Sequence, residues 1–364
     1  MRITVIGPVY PYKGGIAHYT GLLVEALKKR AQVRTVTYSM QYPKLLFKKE
    51  QRDYSNDSFK VEDAEYLINT ANPFNIIKSA LSVNAWKPDL TIIEWWHPYF
   101  APCYRILCGF LKSPVLFICH NVFPHERFMF DRFLTKLTLK RGDFFILHSE
   151  TEVKELKTIL PGANYRVNMH PTYSAFSLRE LKPKEGKEKR LLFFGLVRPY
   201  KGLKVLLKAL KELPDVCLTA AGDFGGALEE YAALVRELGI GGRAELIDGY
   251  IPDKEVQGYF ENCDAVVLPY LSATQSGIAQ MAFGFKKPVI ASGVGGLPEV
   301  VIDGKTGVLV RPGDPADLKK GIERFYSLLD EGVDFTVNIE EDSERFTWEH
   351  MADTILGMTG GLPS

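Results

Sequence analysis

Apolar and polar positions alternate between two spacings along the whole chain. Short apolar runs, typical of buried strands, are separated by longer stretches in which apolar residues recur every three or four positions, as on one face of a helix. The predicted strands are residues 3–6, 33–38, 90–93, 115–119 and 144–147, followed by 191–194, 217–221, 244–247, 265–268, 289–291 and 308–310. This alternation predicts βαβ units with parallel sheets, an α/β fold.

Helix signals lie between these runs. The first predicted helix presents one apolar face, made of Ile16, Tyr19, Leu23, Ala26 and Leu27. Ser149 with Glu152 three positions later forms a capping box and predicts the start of another helix. Residues 346–358 are predicted as the last helix.

The alternation stops between 171 and 190, in a charged stretch that contains Pro183 and Gly186, and then starts again. Such a break is typical of a linker, and 364 residues exceed one ordinary domain. We therefore predict an amino-terminal domain over 1–172, a linker over 173–189 and a second, similar domain over 190–345. The carboxyl-terminal helix lies within 346–364.

Charge and cysteine content restrict the classes of partner and compartment. Lys plus Arg (45) nearly equals Asp plus Glu (44), so no global field favours nucleic acid. The five cysteines are odd in number and lack a Cys-x-x-Cys pair, which indicates reduced thiols in a reducing compartment. The apolar run at residues 3–6 ends at Gly7-Pro8 and is too short for a signal peptide. The predicted location is cytoplasmic.

Membrane contact is considered for three segments. The apolar stretch 95–111 is not predicted to span a bilayer, because Glu94, Pro98 and Arg105 would burden it. Segments 44–49 and 128–141 mix basic and bulky apolar residues, which allows a peripheral contact at the inner face of a membrane. An ordinary solvated basic face over a core stripe is the alternative.

Loops that follow the predicted strands are where a parallel sheet presents its ligand site. Gly14 and Gly15 precede the first helix, where backbone amides can approach an anion, although a flexible turn is the alternative. His120 and Asn121 directly follow the strand at 115–119, where the histidine could contact an acceptor hydroxyl or be an ordinary surface residue.

The second half offers two loops suited to a diphosphate. Gly195 is followed by Arg198 and Lys201, whose charge could stabilise a leaving phosphate group, whereas two plain surface cations are the alternative. After the strand at 265–268, small and hydroxyl residues precede a predicted helix and could expose amides to phosphate. These residues are Thr274, Gln275, Ser276, Gly277 and Ile278.

Several motifs are absent from the sequence. The glycine-rich loop 293–296 is followed by Pro298, in the place of a third Rossmann glycine, which weighs against a nicotinamide cofactor. There is no Asp-x-Asp triplet, no metal-ligand cluster and no Gly-x-Ser-x-Gly elbow. No metal and no cofactor are therefore predicted.

Taken together, these loops resemble those of the group 1 (family four) glycosyltransferases, which have the GT-B fold. The resemblance covers essentially the whole chain. It rests on Gly14-Gly15-Ile16, His120-Asn121, Phe194-Gly195, Lys201-Gly202, Lys287-Pro288-Val289-Ile290, Gly295-Gly296-Leu297-Pro298-Glu299 and Gly304-x-x-Gly307.

The resemblance implies two Rossmann-like, doubly wound parallel-sheet domains that face each other across a cleft, and a last helix that crosses back to the first domain. It implies that Arg198 and Lys201 bind the donor diphosphate, which Gly14 and Gly15 also approach. It places the acceptor mostly on the first domain, and we assign His18, His120 and Asn121 to it. His120, Arg198 and Lys201 are the candidate catalytic residues, and Gly195 and residues 274–278 complete the donor site.

The chain departs from the family pattern at two places. Leu196 stands directly after Gly195, where the family usually has its arginine. The family's two glutamates, seven residues apart, would fall near Ala273 and Met281, and both are missing. In the family the first of these glutamates contacts the donor sugar and the second binds the nucleotide ribose.

The predicted function is metal-independent, retaining transfer of a sugar from a nucleotide-diphosphate sugar to a glycan or lipid-linked hydroxyl acceptor. The resemblance most often implies cell-surface polysaccharide or glycolipid synthesis. A catalytically degenerate sugar-nucleotide or glycan-binding protein and a nucleotide-sugar epimerase remain alternatives. A dehydrogenase is disfavoured by the missing Gly-x-Gly-x-x-Gly.

Overall fold

The computed structural model describes residues 1–47, 50–54, 57, 60–124, 127–173, 180 and 186–358. These residues form two compact units. Unit 1 contains Met1–Pro171 and the segment that starts at Phe346, and unit 2 contains Thr172–Arg345. Most of the predicted linker lies outside the described residues, which omit 174–179 and 181–185.

Unit 1 contains a parallel sheet whose described strands have the order β3-β2-β1-β4-β5-β6-β7. Its central strands are mostly apolar and are buried on both faces, as expected when helices cover both sides of a parallel sheet. The strands are β1 (Arg2–Ile6), β2 (Gln32–Met40), β3 (Glu65–Asn69), β4 (Leu90–Trp95), β5 (Val115–Cys119), β6 (Phe144–Leu147) and β7 (Tyr165–Val167).

Helices of unit 1 begin at identifiable caps. Asn72 accepts a hydrogen bond from Asn75 N at 3.1 Å, and Ser149 accepts one from Glu152 N at 3.3 Å, as the capping box predicts. The helices are α1 (Gly15–Lys28), α2 (Pro73–Trp86), α3 (Ala101–Phe110), α4 (Asp131–Leu139) and α5 (Glu150–Lys157).

Unit 2 contains a second parallel sheet, with the described order β10-β9-β8-β11-β12-β13. Its strands are β8 (Lys189–Phe194), β9 (Val216–Gly222), β10 (Ala244–Asp248), β11 (Ala265–Leu268), β12 (Val289–Ser292) and β13 (Gly307–Val310). Its helices are α6 (Leu203–Lys211), α7 (Leu228–Glu237), α8 (Asp253–Glu261), α9 (Gly277–Gly284), α10 (Leu297–Val300), α11 (Pro315–Asp330) and α12 (Phe335–Glu341).

The last described helix, α13 (Trp348–Met358), packs on α1 within unit 1. Lys29 Nζ lies 2.7 Å from a Glu349 carboxylate oxygen, and Trp348 meets the ring of Tyr19 at a centroid distance of 4.9 Å. The end of the chain therefore completes the core of the unit with which the chain begins.

Both sheets confirm the predicted α/β class, since each is doubly wound. The strand order reverses between β1 and β4 in unit 1 and between β8 and β11 in unit 2. In open α/β sheets, ligands bind beyond the carboxyl ends of the strands at such a reversal. The candidate ligand sites are therefore the carboxyl ends of β1 and β4 in unit 1 and those of β8 and β11 in unit 2. We refer to each of these as the carboxyl edge of its sheet.

Two findings concern the other predictions. Strands β3 and β7 were not predicted; both are edge strands. Within the described part of the chain, no helix combines the length and the apolar character needed to cross a bilayer.

Candidate active site

Two glycines determine the backbone conformation at the start of the loop after β8. Gly195 has a φ of 97° and donates its N–H to Ala221 O at 2.9 Å. A Cβ placed on Gly222 would lie 1.8 Å from the carbonyl oxygen of Gly195, so the two backbones touch where only glycine fits. This close approach fixes the exit of the loop that carries Arg198 and Lys201.

Arg198 and Lys201 place positive charge at this edge. The Lys201 side chain is buried, and its Nζ lies 3.7 Å from the position that a Cβ on Gly195 would take. Arg198 Nη1 donates to Val197 O at 2.8 Å. Burial lowers the pKa of Lys201, and the charge of Arg198 lowers it further. No carboxylate among the described residues pairs with either cation, so their charge is available to an anion.

Helix α9 begins beside the same loop. The side chain of Ile278 would lie 3.2 Å from a Cβ on Gly195, and Ser276 caps the helix by accepting a hydrogen bond from Ala279 N at 3.3 Å. The amides of Gly277 and Ile278 occupy the first positions of the helix, where backbone N–H groups have no intrahelical partner. Thr274 and Gln275 lie in the preceding loop, which is fixed by a bond from Gly296 N to Thr274 O at 2.9 Å.

Chemically, the edge of unit 2 is suited to a diphosphate. It combines two cations, a glycine turn and the start of a helix, each of which favours a negatively charged group. The structure thus brings together Gly195, Arg198, Lys201 and the loop at 274–278, which are the donor residues that the sequence predicts within unit 2. Their role in binding it stays a prediction.

Unit 1 presents different chemistry at its edge. Gly14 has a φ of 104°, caps α1 without a side chain and faces open space, and Gly15 next to it is exposed. His18 lies on α1 and is buried, whereas Asn121 is half-buried after β5. Gly14 is thus accessible to a ligand, whereas His18 offers little surface to an acceptor.

His120 is buried and paired with an acid that the sequence did not single out. Its Nε2 lies 2.7 Å from Glu94 Oε2, and Glu94 is fully buried in β4. Burial raises the pKa of Glu94 well above its ordinary value and lowers the pKa of His120 to about 3. Burial thus opposes charge on both partners, which favours a neutral acid paired with a neutral imidazole.

Further histidines surround Tyr19 on α1. The rings of His120, His148 and His170 lie 4.6, 5.5 and 5.0 Å from the Tyr19 ring. His148 Nδ1 donates to Asn168 O at 2.8 Å, and its Nε2 is buried without a partner among the described residues. Burial lowers the pKa of His148 to about 3 and that of His170 well below its ordinary value. We call Glu94, Tyr19 and the three histidines the buried imidazole cluster.

Comparison with known proteins finds similarity to glycosyltransferases. Residues 176–341, all within unit 2, match the family model described as glycosyl transferases group 1. An uncharacterized glycosyltransferase of Methanocaldococcus jannaschii is 26% identical to this chain, and the match covers 96% of this chain and 95% of the relative.

Two further group 1 comparisons concern part of the sequence and the whole fold. A D-inositol 3-phosphate glycosyltransferase of Corynebacterium diphtheriae is 30% identical over 59% of this chain and 52% of the relative, so the chain spans about half the length of that enzyme. The structure of Anabaena HepE in complex with UDP and glucose is 17% identical, covers 100% of both chains and has a TM-score of 0.75. The GT-B fold class predicted from the resemblance is confirmed.

The group 1 pattern also draws attention to Gln280, which was not predicted from the sequence. Gln280 lies one residue before Met281, near which the family's second glutamate would fall. Its side chain is almost fully buried, and its Oε1 has no hydrogen-bond partner among the described residues. Ser276 and Gln280 are four residues apart and so share a face of α9. The sequence signal that could have identified Gln280 is an amide side chain in an otherwise apolar helix, one turn after the N-cap.

Proposed function

We propose that this protein transfers a glycosyl group from a nucleotide-diphosphate sugar to a hydroxyl acceptor, with retention of configuration and without a metal ion. The observation that supports this most is the pair of unneutralised cations beside the start of α9, at the strand reversal of the unit that matches the family. The structure of HepE with UDP and glucose supports a nucleotide sugar as the donor.

Donor binding is assigned to unit 2. Lys201 and Arg198 hold the diphosphate together with the amides of Gly277 and Ile278, which neutralise charge as the phosphate leaves. Within the described ranges, no group of three or more His, Cys, Asp or Glu side chains is placed to hold a metal ion. We assign the stabilisation of the leaving group to these cations and amides.

Gln280 is proposed to take part in recognition of the donor. Its buried Oε1 lacks a partner, and a buried acceptor that stays unsatisfied is costly. A hydroxyl of the nucleotide ribose would satisfy it. Gln280 thus replaces in part the missing ribose-binding glutamate.

The acceptor proton is proposed to pass to the leaving phosphate. The acceptor oxygen attacks the anomeric carbon on the face from which the diphosphate departs, the sugar–phosphate bond breaks, and a phosphate oxygen takes the proton. His120 is poorly suited to be the base, because its pKa is lowered to about 3 and its Nε2 is occupied by Glu94. We assign His120 to positioning the adjacent Asn121, which is half-buried at the same edge of the sheet, through the bond between His120 and Glu94.

A donor screen tests this function. The full chain would be followed by thermal unfolding with UDP-, GDP-, ADP- and CMP-sugars, in the presence and absence of EDTA. A ligand at a hundred times its Kd raises the free energy of unfolding by about 3 kcal/mol, so one donor should raise Tm equally with and without EDTA.

Three outcomes would contradict the proposal. If no donor raised Tm, the anion site on unit 2 would not be a nucleotide-sugar site. A shift that EDTA abolished would overturn metal independence. A bound donor that gave no nucleotide product with any hydroxyl acceptor or water would assign the protein to binding without catalysis.

A further inference from the structure

Unit 1 exposes an unusual run of large apolar side chains after β5. Phe128, Met129 and Phe130 precede α4, and Phe133 lies in its first turn. Met129 is 86% exposed and Phe133 64% exposed. Isolated exposed apolar residues are ordinary, but a contiguous cluster marks an interaction surface.

The same segment is strongly basic. Between residues 127 and 141 there are five cations, whereas the chain as a whole carries a net charge of +1. Asp131 is the acid in this range; it is buried and pairs with Arg127, accepting a hydrogen bond from it at 3.0 Å, which offsets the charge of that one cation. The five cations are Arg127, Arg132, Lys136, Lys140 and Arg141.

Helix α4 separates its two faces clearly. Thr135, Thr138 and Leu139 are buried, and Thr138 Oγ1 donates to Leu134 O at 3.0 Å. The outward positions alternate cations with Phe133 and Leu137. Such a helix presents apolar side chains and positive charge to the same neighbour.

A second apolar segment lies beside the first. Leu45 is 86% exposed, and Leu46 and Phe47 follow it in the turn after β2. The Phe47 ring stacks on Tyr42 at 5.6 Å, and Tyr42 meets Tyr99 at 4.9 Å.

The segment 97–100 joins the two apolar segments. Tyr99 N donates to His97 Nδ1 at 3.0 Å, and the His97 ring stacks on Phe128 at 6.3 Å. Residues 44–47 and 127–141 therefore form one surface, which we call the apolar–basic surface. It lies beyond the carboxyl ends of β2, β4 and β5.

We propose that the apolar–basic surface docks unit 1 on a bilayer that contains anionic lipid. Charge complementarity selects this occupant, because each Lys or Arg near an anionic membrane favours binding while exposed Phe, Met and Leu side chains enter the interface. The inference rests on the proposed function in one respect. It identifies the hydroxyl acceptor as lipid-linked, since the surface shares its edge of the sheet with His120.

Vesicle sedimentation tests the docking directly. The full chain would be sedimented with phosphatidylcholine vesicles, and with the same vesicles containing about a quarter phosphatidylglycerol, at low and high salt. Binding is expected only or mainly to the anionic vesicles and should weaken as salt screens the charges.

Paired variants locate the contact. Met129→Ser with Phe133→Ser, and separately Lys136→Gln with Lys140→Gln, should each weaken vesicle binding at least tenfold, since removal of two cations alone costs roughly that factor. The matched controls are Leu329→Ser with Val337→Ser, and Lys208→Gln with Lys211→Gln, all on unit 2. These controls should bind vesicles as the parent does.

The outcomes separate docking from catalysis. Every surface variant should keep the parental donor-induced rise in Tm, so a loss of vesicle binding with intact donor binding supports the inference. Parental binding of the surface variants to anionic vesicles, or no vesicle binding by the parent, would overturn it whatever the donor screen shows. A concentration-dependent dimer in gel filtration that Met129→Ser with Phe133→Ser abolishes would assign the surface to a second copy of the chain instead.

Discussion

At the carboxyl edge of the second sheet, Arg198 and Lys201 carry charge that no described carboxylate neutralises. At the corresponding edge of the first sheet, Glu94 and His120 form a buried pair, and burial opposes charge on both groups. The strand order reverses in the same way at both edges. The topology is therefore the same at both edges, whereas a few side chains make one edge positively charged and give the other a buried acid–imidazole pair.

The difference extends to the surface around each edge. Unit 1 exposes a run of Phe, Met and Leu side chains beside its edge, whereas the loop at 269–278 in unit 2 exposes Leu271 and Ser272. An edge built for a soluble nucleotide sugar needs no apolar surroundings. An edge that receives a lipid-linked acceptor benefits from them.

The largest expected effect comes from removing the charge on unit 2. Lys201→Ala with Arg198→Ala should lower kcat/KM for glycosyl transfer about a hundred- to a thousandfold, because the leaving diphosphate loses its main stabilisation. Initial rates of nucleotide release would measure this. Lys204→Ala is the control, since Lys204 is exposed and paired with Glu230. If the double variant were as active as this control, the positive charge of Arg198 and Lys201 would not contribute to transfer.

The second effect concerns acid and unit 1. The pKa values of His120, His148 and His170 are lowered from 6.5 by burial, so unfolding takes up three protons as pH falls below 6.5. Glu94, with its pKa raised from 4.5, releases one proton on unfolding above pH 4.5. The net uptake of two protons means that the free energy of unfolding falls by about 3 kcal/mol per pH unit between about pH 6 and 5.

The molecule contains its own control for the acid effect. All seven histidines and all four tryptophans lie outside the segment of unit 2, so tryptophan fluorescence reports on unit 1. The free energy of unfolding measured by fluorescence should fall with acid much more than the free energy of opening measured by hydrogen exchange in β8 to β13. Equal acid sensitivity in both units would mean that the buried imidazole cluster is charged in the folded state.

The smallest effect tests the shared proton. Glu94→Gln should change the free energy of unfolding at pH 7 by less than about 1 kcal/mol, since an amide N–H can replace the acid O–H as donor to His120. Glu94→Ala should cost about 1–3 kcal/mol more by leaving Nε2 unsatisfied. Urea unfolding would measure both, with the exposed Glu62→Ala as control. If Glu94→Gln and Glu94→Ala lowered the free energy of unfolding equally, Glu94 would be ionised in the folded protein, and the prediction of a neutral acid–imidazole pair would be wrong.

Much of the fold could be predicted because buried parallel strands read as apolar runs. The predicted strand at 115–119 coincides with β5, and 144–147 with β6. Strands β3 and β7 were not predicted because they are edge strands, which are only partly buried. In Glu65–Asn69 a single residue is fully buried, and Tyr165–Val167 contains the exposed Arg166, so neither forms an apolar run.

The candidate site was predictable where loops carry it and less so inside the strands. Gly195, Lys201 and Ser276 lie in the loops that follow β8 and β11, and the structure brings them together. Glu94 was noted only as an obstacle to a membrane span. Its partnership with His120 joins β4 to β5, and such a lateral pairing depends on strand order, which a single sequence does not reveal.

His148 could have been recognised from the sequence, because it follows β6 as His120 follows β5. Neighbouring parallel strands end at the same edge, so two histidines in equivalent positions are expected to meet. His170, after the unpredicted β7, could not be placed by this rule.

The packing of Trp348 on Tyr19 has a consequence for the order of folding. Helix α13 is separated from the rest of unit 1 by the whole of unit 2, and it is synthesised after it. During translation, unit 2 can fold as a continuous segment before α13 is available to pack on the aromatic side of α1. The unit that begins first at the ribosome is thus the one that is completed last.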